Sequence, residues 1–218
     1  MTATTSARVP ALIASLDDYP DERAEIVFEI VSELRRSGDD AAALGWLHTL
    51  TAARGLDASM ARVEAADIHF EAGRADLAMV ELDAIKNSRG RDPDAYSLAA
   101  ELLAERGDHE GALRWFAMAA SRLSEEDLAA ARGEYGWMSR GYGILWQRHQ
   151  LRERLGYPPD DLEDGLCEPP GRRTENSAFP STDEAMSDPH LRDARAIRIL
   201  TWPVQDFAIA KQRWPRLM

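Results

Sequence analysis

Three short segments of the sequence repeat, and this constrains the fold more than any other feature. Gly38-Asp39, Gly73-Arg74 and Gly107-Asp108 stand 35 and 34 residues apart. Five residues after each glycine comes an alanine: Ala43, Ala78 and Ala112. A larger apolar residue follows at once: Leu44, Met79 and Leu113. Four residues beyond each alanine is another bulky side chain: Leu47, Leu82 and Phe116. Ahead of each glycine, core-type residues recur at helical spacing. They are Val27, Ile30, Val31 and Leu34, then Ala65, Ala66 and His69, then Tyr96, Ala99, Ala100 and Leu103. A glycine at the end of such a stretch adopts the positive φ that stops a helix. Asp39 and Asp108 suit the start of the next helix, where unpaired N–H groups attract a carboxylate. Asp92-Pro93 is a further start signal. The alanines fall where two helices must approach closely. The units run over about 24–58, 59–92 and 93–126. An irregular helical bundle with accidental periodicity is the competing reading.

This period and the Ala-x₃-Phe-like spacing resemble the tetratricopeptide repeat (TPR), a helix–turn–helix unit. The resemblance covers roughly half of the chain. It implies an all-α, TPR-like solenoid of about three repeats plus capping helices. His69 stands where the family carries an aromatic, Arg62 replaces its early Trp-like residue, and an inter-repeat proline appears only at Pro93. In the family, the first helices line a concave groove. By register, the groove positions are Glu25, Phe28, Ser32 and Arg35, then Met60, Val63, Asp67 and Phe70, then Asp94, Ser97, Glu101 and Ala104. Part of this set, Val63 above all, can equally serve packing between helices. The family's carboxylate clamp uses Lys and Asn at these positions. Neither is present, so that clamp is not expected. The resemblance implies a non-catalytic protein-interaction module, an adaptor or regulatory subunit, whose partner is a protein or peptide of basic and apolar character.

A second resemblance lies in Gly136-Trp137-Met138, in the run Arg154-Leu155-Gly156-Tyr157-Pro158-Pro159-Asp160-Asp161-Leu162, and in Trp202-Pro203 and Trp214-Pro215. These are similar to a group of actinobacterial TPR proteins, some of which carry a Cys-rich zinc motif, SEC-C. Cys167 is the only cysteine, so that motif is absent and no metal ligand carries over. Lys86 and Lys211 are the only lysines. That arginine skew, with abundant alanine, suggests a GC-rich bacterial source.

Charge separates the chain into two parts. The net charge of −12 is concentrated in residues 1–164, with 18 basic and 31 acidic side chains. Residues 190–218 carry six basic and two acidic ones. An acidic body disfavours nucleic acid, whose phosphates must be met by Lys and Arg. The basic end supports an alternative function: an accessory protein whose C-terminal segment contacts nucleic acid or a phosphorylated partner. The longest apolar run spans seven residues, Ala41 to Leu47, too short for a membrane span. With no signal-like start, the chain reads as a cytoplasmic protein.

Residues 10–18 suit an opening helix before the first repeat. Ser124-Glu125-Glu126-Asp127 reads as a capping box. Helices follow over about 125–132 and 137–155, interrupted at Gly133 and Gly136. Gly141 falls 34 residues after Gly107, as a fourth repeat would place it. Trp146 then stands at the close-crossing position and is too large, so 125–155 reads as a capping segment. The expected organisation is a helical solenoid over 1–155, a Pro-rich acidic linker over 156–189 and a strand–helix tail over 190–218. The tail, with Trp202, Phe207 and Trp214, is expected to fold back, either filling the groove or covering the last helices.

No catalytic motif emerges. The five histidines lack ligand spacing, acidic neighbours disfavour a Cys167 thiolate, and no phosphate or dinucleotide loop is present. The chain is read as non-enzymatic, with no cofactor and no metal. His69 is expected to be a packed, hydrogen-bonded core residue. Arg140, Arg148 and Arg152 share one face of the last helix and support two readings. One is an anion site for phosphate or an acidic peptide. The other is pairing with Glu153 and the Asp160–Asp164 cluster.

Overall fold

The computed structural model describes residues 5–53, 55–133 and 135–166. All secondary structure among them is helical. The α-helices are α1 (Thr5–Asp18), α2 (Arg23–Ser37), α3 (Asp40–Thr51), α4 (Leu56–Glu71), α5 (Ala75–Ser88), α6 (Pro93–Glu105), α7 (His109–Ala120), α8 (Glu125–Ala131) and α9 (Arg140–Leu155), with 3-10 turns at Pro20–Glu22 and Gly136–Met138. Cys167, most of the expected linker, and the expected strand and helix of the tail lie outside the described residues. The chain divides into two units, Met1–Arg122 and Leu123–Met218.

In the first unit the glycine register produces the same helix end three times. Gly38, Gly73 and Gly107 have φ of 82°, 71° and 83°. The residue after each donates its N–H to a carbonyl one turn back: Asp39 to Leu34 (2.9 Å), Arg74 to His69 (2.8 Å) and Asp108 to Leu103 (3.0 Å). These bonds satisfy helix-end carbonyls that would otherwise lack a partner. Asp39 and Asp108 then cap α3 and α7, accepting from the N–H groups of Ala42 (3.0 Å) and Gly111 (2.8 Å). Arg74 has no oxygen to offer, and α5 starts without a side-chain cap. Asp92 caps α6 by accepting from Asp94 N–H at 3.0 Å, with Pro93 in the first turn.

The helices therefore form successive hairpins: α2 with α3, α4 with α5, and α6 with α7. Neighbouring hairpins meet through α3 on α4, α4 on α6 and α5 on α6, while α1 packs on α2. Ala43, Ala78 and Ala112 are fully buried, as close helix crossing requires. Leu47, Leu82 and Phe116 are also fully buried, each contributing about 1.5–3 kcal/mol of apolar transfer energy. At the third hairpin, two neighbouring aromatic rings lie between two cations. The Arg122 guanidinium lies 3.7 Å from the Tyr96 ring centre, Tyr96 lies 5.6 Å from Trp115, and Lys86 Nζ lies 4.7 Å from Trp115. Tyr96 hydroxyl and Arg122 Nε both donate to the Gly90 carbonyl, at 3.2 and 3.0 Å.

In the second unit, the capping box at Ser124 forms as expected. Asp127 N–H donates to the Ser124 hydroxyl (3.0 Å), and Ser124 N–H donates back to the Asp127 carboxylate (3.0 Å). Gly141 does not end a helix. It is the second residue of α9, and a Cβ there would lie 2.7 Å from the Asp127 carbonyl oxygen. The glycine lets the start of α9 approach the backbone of α8. Gly136 has the same role against Ala131, whose carbonyl would lie 2.1 Å from a Cβ.

Candidate functional site

The register-derived surface falls on α2, α4 and α6, and an ionic ladder runs across it. Arg35, near the end of α2, donates to Glu64 (2.5 Å), Asp67 (3.0 Å) and Glu71 (2.8 Å) on α4. Arg106, just beyond α6, reaches the other Asp67 oxygen and lies 3.7 Å from Glu71. Its guanidinium is 5.9 Å from the Phe70 ring centre. Burial opposes the charge on Arg35, but Glu64, Glu71 and Asp67 outweigh it and raise its pKa above the ordinary value.

Of the expected groove residues, Arg35, Asp67 and Phe70 are thus brought together. Phe28 is half-buried and packs on the core around Val27, Ile30 and Leu47. Met60 and Val63 are half-buried on α4. Ser32 accepts from Arg36 at 3.4 Å rather than joining the ladder. Ser97 is buried and donates to Glu101 at 3.2 Å. Asp94 is half-buried in the first turn of α6, and Glu25 is exposed in the first turn of α2. Glu64, Glu71 and Arg106 were not singled out from the sequence. The signal for them was register: Arg35 and Phe70 both lie three residues before their glycines, so the end of α2 stacks beside the acidic side of α4.

The expected anion set divides. Arg148 and Arg152 converge on Asp160 and Glu163. Arg140 lies apart, 3.6 Å from Asp127. The Asp160 carboxyl is held below its usual pKa, first by the hydrogen bond from Arg148, against burial, and then by the charges of Arg148 and Arg152.

The histidines also take distinct places. His48 Nε2 lies 3.5 Å from Glu81, which also accepts from Arg62 at 2.8 Å. His69 is buried in α4 as expected, but the expected hydrogen bond is missing at its Nδ1, which has no partner in its apolar surroundings. Burial, then the charge of Arg74, lowers its pKa, while Glu81 acts in the opposite direction. Among the described residues, no group of three or more His, Cys, Asp or Glu is placed to hold a metal ion. No described helix is long and apolar enough to cross a membrane.

These features define a class: among the described residues, an all-helical architecture whose first unit is built from successive helical hairpins, with a charged surface along one row of helices. No protein-family model, curated protein or solved structure matches the chain.

Proposed function

We propose that the first unit is a TPR-like protein-interaction module. It binds a basic, apolar segment of a partner along α2, α4 and α6 and acts as a non-catalytic adaptor or regulatory subunit. The observation that carries this reading is the composition of that surface. By register that surface carries half-buried Phe28, Met60, Val63 and Phe70 together with Glu64, Asp67, Glu71, Asp94 and Glu101, and two cations, Arg35 and Arg106, pair with the acidic side chains of α4. Half-buried apolar side chains complete their burial against a ligand, and the acidic excess selects a basic one. Repeated hairpins also present a row of equivalent positions, which suits an extended peptide.

The test is an array of labelled basic-apolar peptides, with hits titrated by fluorescence anisotropy against the full chain. Phe70→Ala should weaken a hit by about tenfold or more, as expected for truncating an aromatic anchor. It should leave far-UV circular dichroism unchanged. An array with no hits, or hits indifferent to Phe70→Ala, would exclude this surface. Raising salt should reduce peptide affinity only moderately. A steep loss, with oligonucleotides binding at low salt, would favour the nucleic-acid alternative.

A further inference from the structure

The second unit holds a separate arrangement of opposite polarity. Residues 160–164, Asp-Asp-Leu-Glu-Asp, lie in a cradle of four cationic or ionisable side chains from α8 and α9. Arg148 donates both terminal nitrogens to Asp160, one at 2.9 Å, and Nη1 also to Glu163 at 2.7 Å. Arg152, one turn later, lies 3.2 Å from Asp160 and 3.2 Å from Glu163, and its Nε donates to the Pro158 carbonyl at 3.1 Å. His149 Nδ1 is 2.9 Å from the remaining Glu163 oxygen. Arg132, immediately after α8, contacts main chain instead: Nε to the Asp164 carbonyl (2.8 Å) and Nη2 to that of Asp161 (3.2 Å).

The burial shows what this cradle is shaped to hold. The Glu163 side chain is 2% exposed and that of Arg148 is 7% exposed, and Arg148 Nε is buried with no hydrogen-bond partner. Removing a carboxylate from water is strongly unfavourable unless geometry and charge compensate it. Here two arginines and an imidazole converge on one carboxylate, and a fork-on-fork pair fixes the other. Side chains on α9 read the two carboxylates, three residues apart, while Arg132 reads the backbone between and beyond them. Such an arrangement recognises an acidic segment folded into turns, as this one is, with Glu163 N–H donating to the Asp160 carbonyl at 2.9 Å, rather than a point charge. The segment that fills it is joined to α9 through Gly156, at φ 77°, and Pro158-Pro159, so it leaves the helix at once and returns over it. So short a connection gives its ligand an effective concentration of about millimolar or more.

We propose that Arg132, Arg148, His149 and Arg152 form a recognition site for an acidic segment of the form Asp-x-x-Glu. The chain's own Asp160 and Glu163 occupy it as an internal competitor, and a partner segment of the same chemistry takes their place. This site is independent of the α2, α4 and α6 surface and prefers the opposite charge.

The experiment compares the full wild-type chain with Asp160→Asn/Glu163→Gln. The probe is a fluorescein-labelled peptide with the sequence of residues 157–166. A control peptide carries Asn and Gln at the two acidic positions. The double variant should bind the probe at least about tenfold more tightly than wild type, because the tethered competitor is disabled. It should discriminate against the control, and affinity should fall as salt rises from about 50 to about 300 mM. The probe should raise the melting temperature of the variant and not that of wild type. If the variant loses helical circular dichroism, saturating probe should restore it. Equal binding by both proteins, equal binding of probe and control, or an unfolded variant that the probe does not restore would each overturn the proposal.

Discussion

His69 shows what a single position in the repeat register determines and what it does not. The register places it in the core of α4, and it is buried there with Nδ1 unpartnered. Burial and then Arg74 favour its neutral form, so its folded-state pKa lies below the ordinary 6.5. An unfolded chain takes up this proton near pH 6.5, whereas the folded chain resists it. The unfolded state therefore binds more protons over that interval, and stability falls as pH drops below about 6.5 toward the folded-state value. The urea midpoint of the wild type should decline between about pH 7.5 and about pH 5.5 more steeply than that of His69→Gln. Parallel declines would remove His69 as the source. The core placement was legible because it follows from spacing alone. The direction of the shift follows from that burial, whereas the contributions of Arg74 and Glu81, which act in opposite directions, depend on how α5 follows α4.

Helix ends were the most legible elements, since their chemistry is local. A positive-φ glycine, an aspartate cap and a Ser124/Asp127 box act within a few residues, and each formed where the residue pattern put it. Gly141 had the right interval for a fourth unit and a different role. Its missing side chain serves the approach of α9 to α8, which spacing along one chain does not encode. Gly141→Ala should therefore destabilise the second unit by roughly 1–3 kcal/mol, the usual cost of overpacking, although alanine is the better helix former. Thermal unfolding measures this, and a variant as stable as wild type would mean that α8 and α9 can separate without penalty. The arginines of α9 were legible as a cluster with two readings. The structure pairs Arg148 and Arg152 with Asp160 and Glu163. Choosing between those readings required knowing that the chain turns back after Gly156.

Over the whole molecule, the residue pattern predicts one body over 1–155, repeats and capping segment together, whereas the packing divides the chain at Arg122. The hairpins of the first unit carry their own core and their own caps. A chain ending at Arg122 is accordingly expected to fold by itself, with helical circular dichroism and one cooperative urea transition. A shortened chain lacking a cooperative transition would show that the division is one of packing density only. Charge compensation along the hairpins has a further consequence for the array. Arg35, before α4, serves Glu64, Asp67 and Glu71 of α4, and Arg106, after α6, serves Asp67 and Glu71 from the other side. A tandem copy of the α4–α5 hairpin would set Glu64, Asp67 and Glu71 of the new unit against Phe70 and Glu71 of the old one, and each acidic row would keep one arginine instead of two. Lengthening by duplication of this hairpin would thus carry an electrostatic penalty, because the compensating arginines stand outside the duplicated helices.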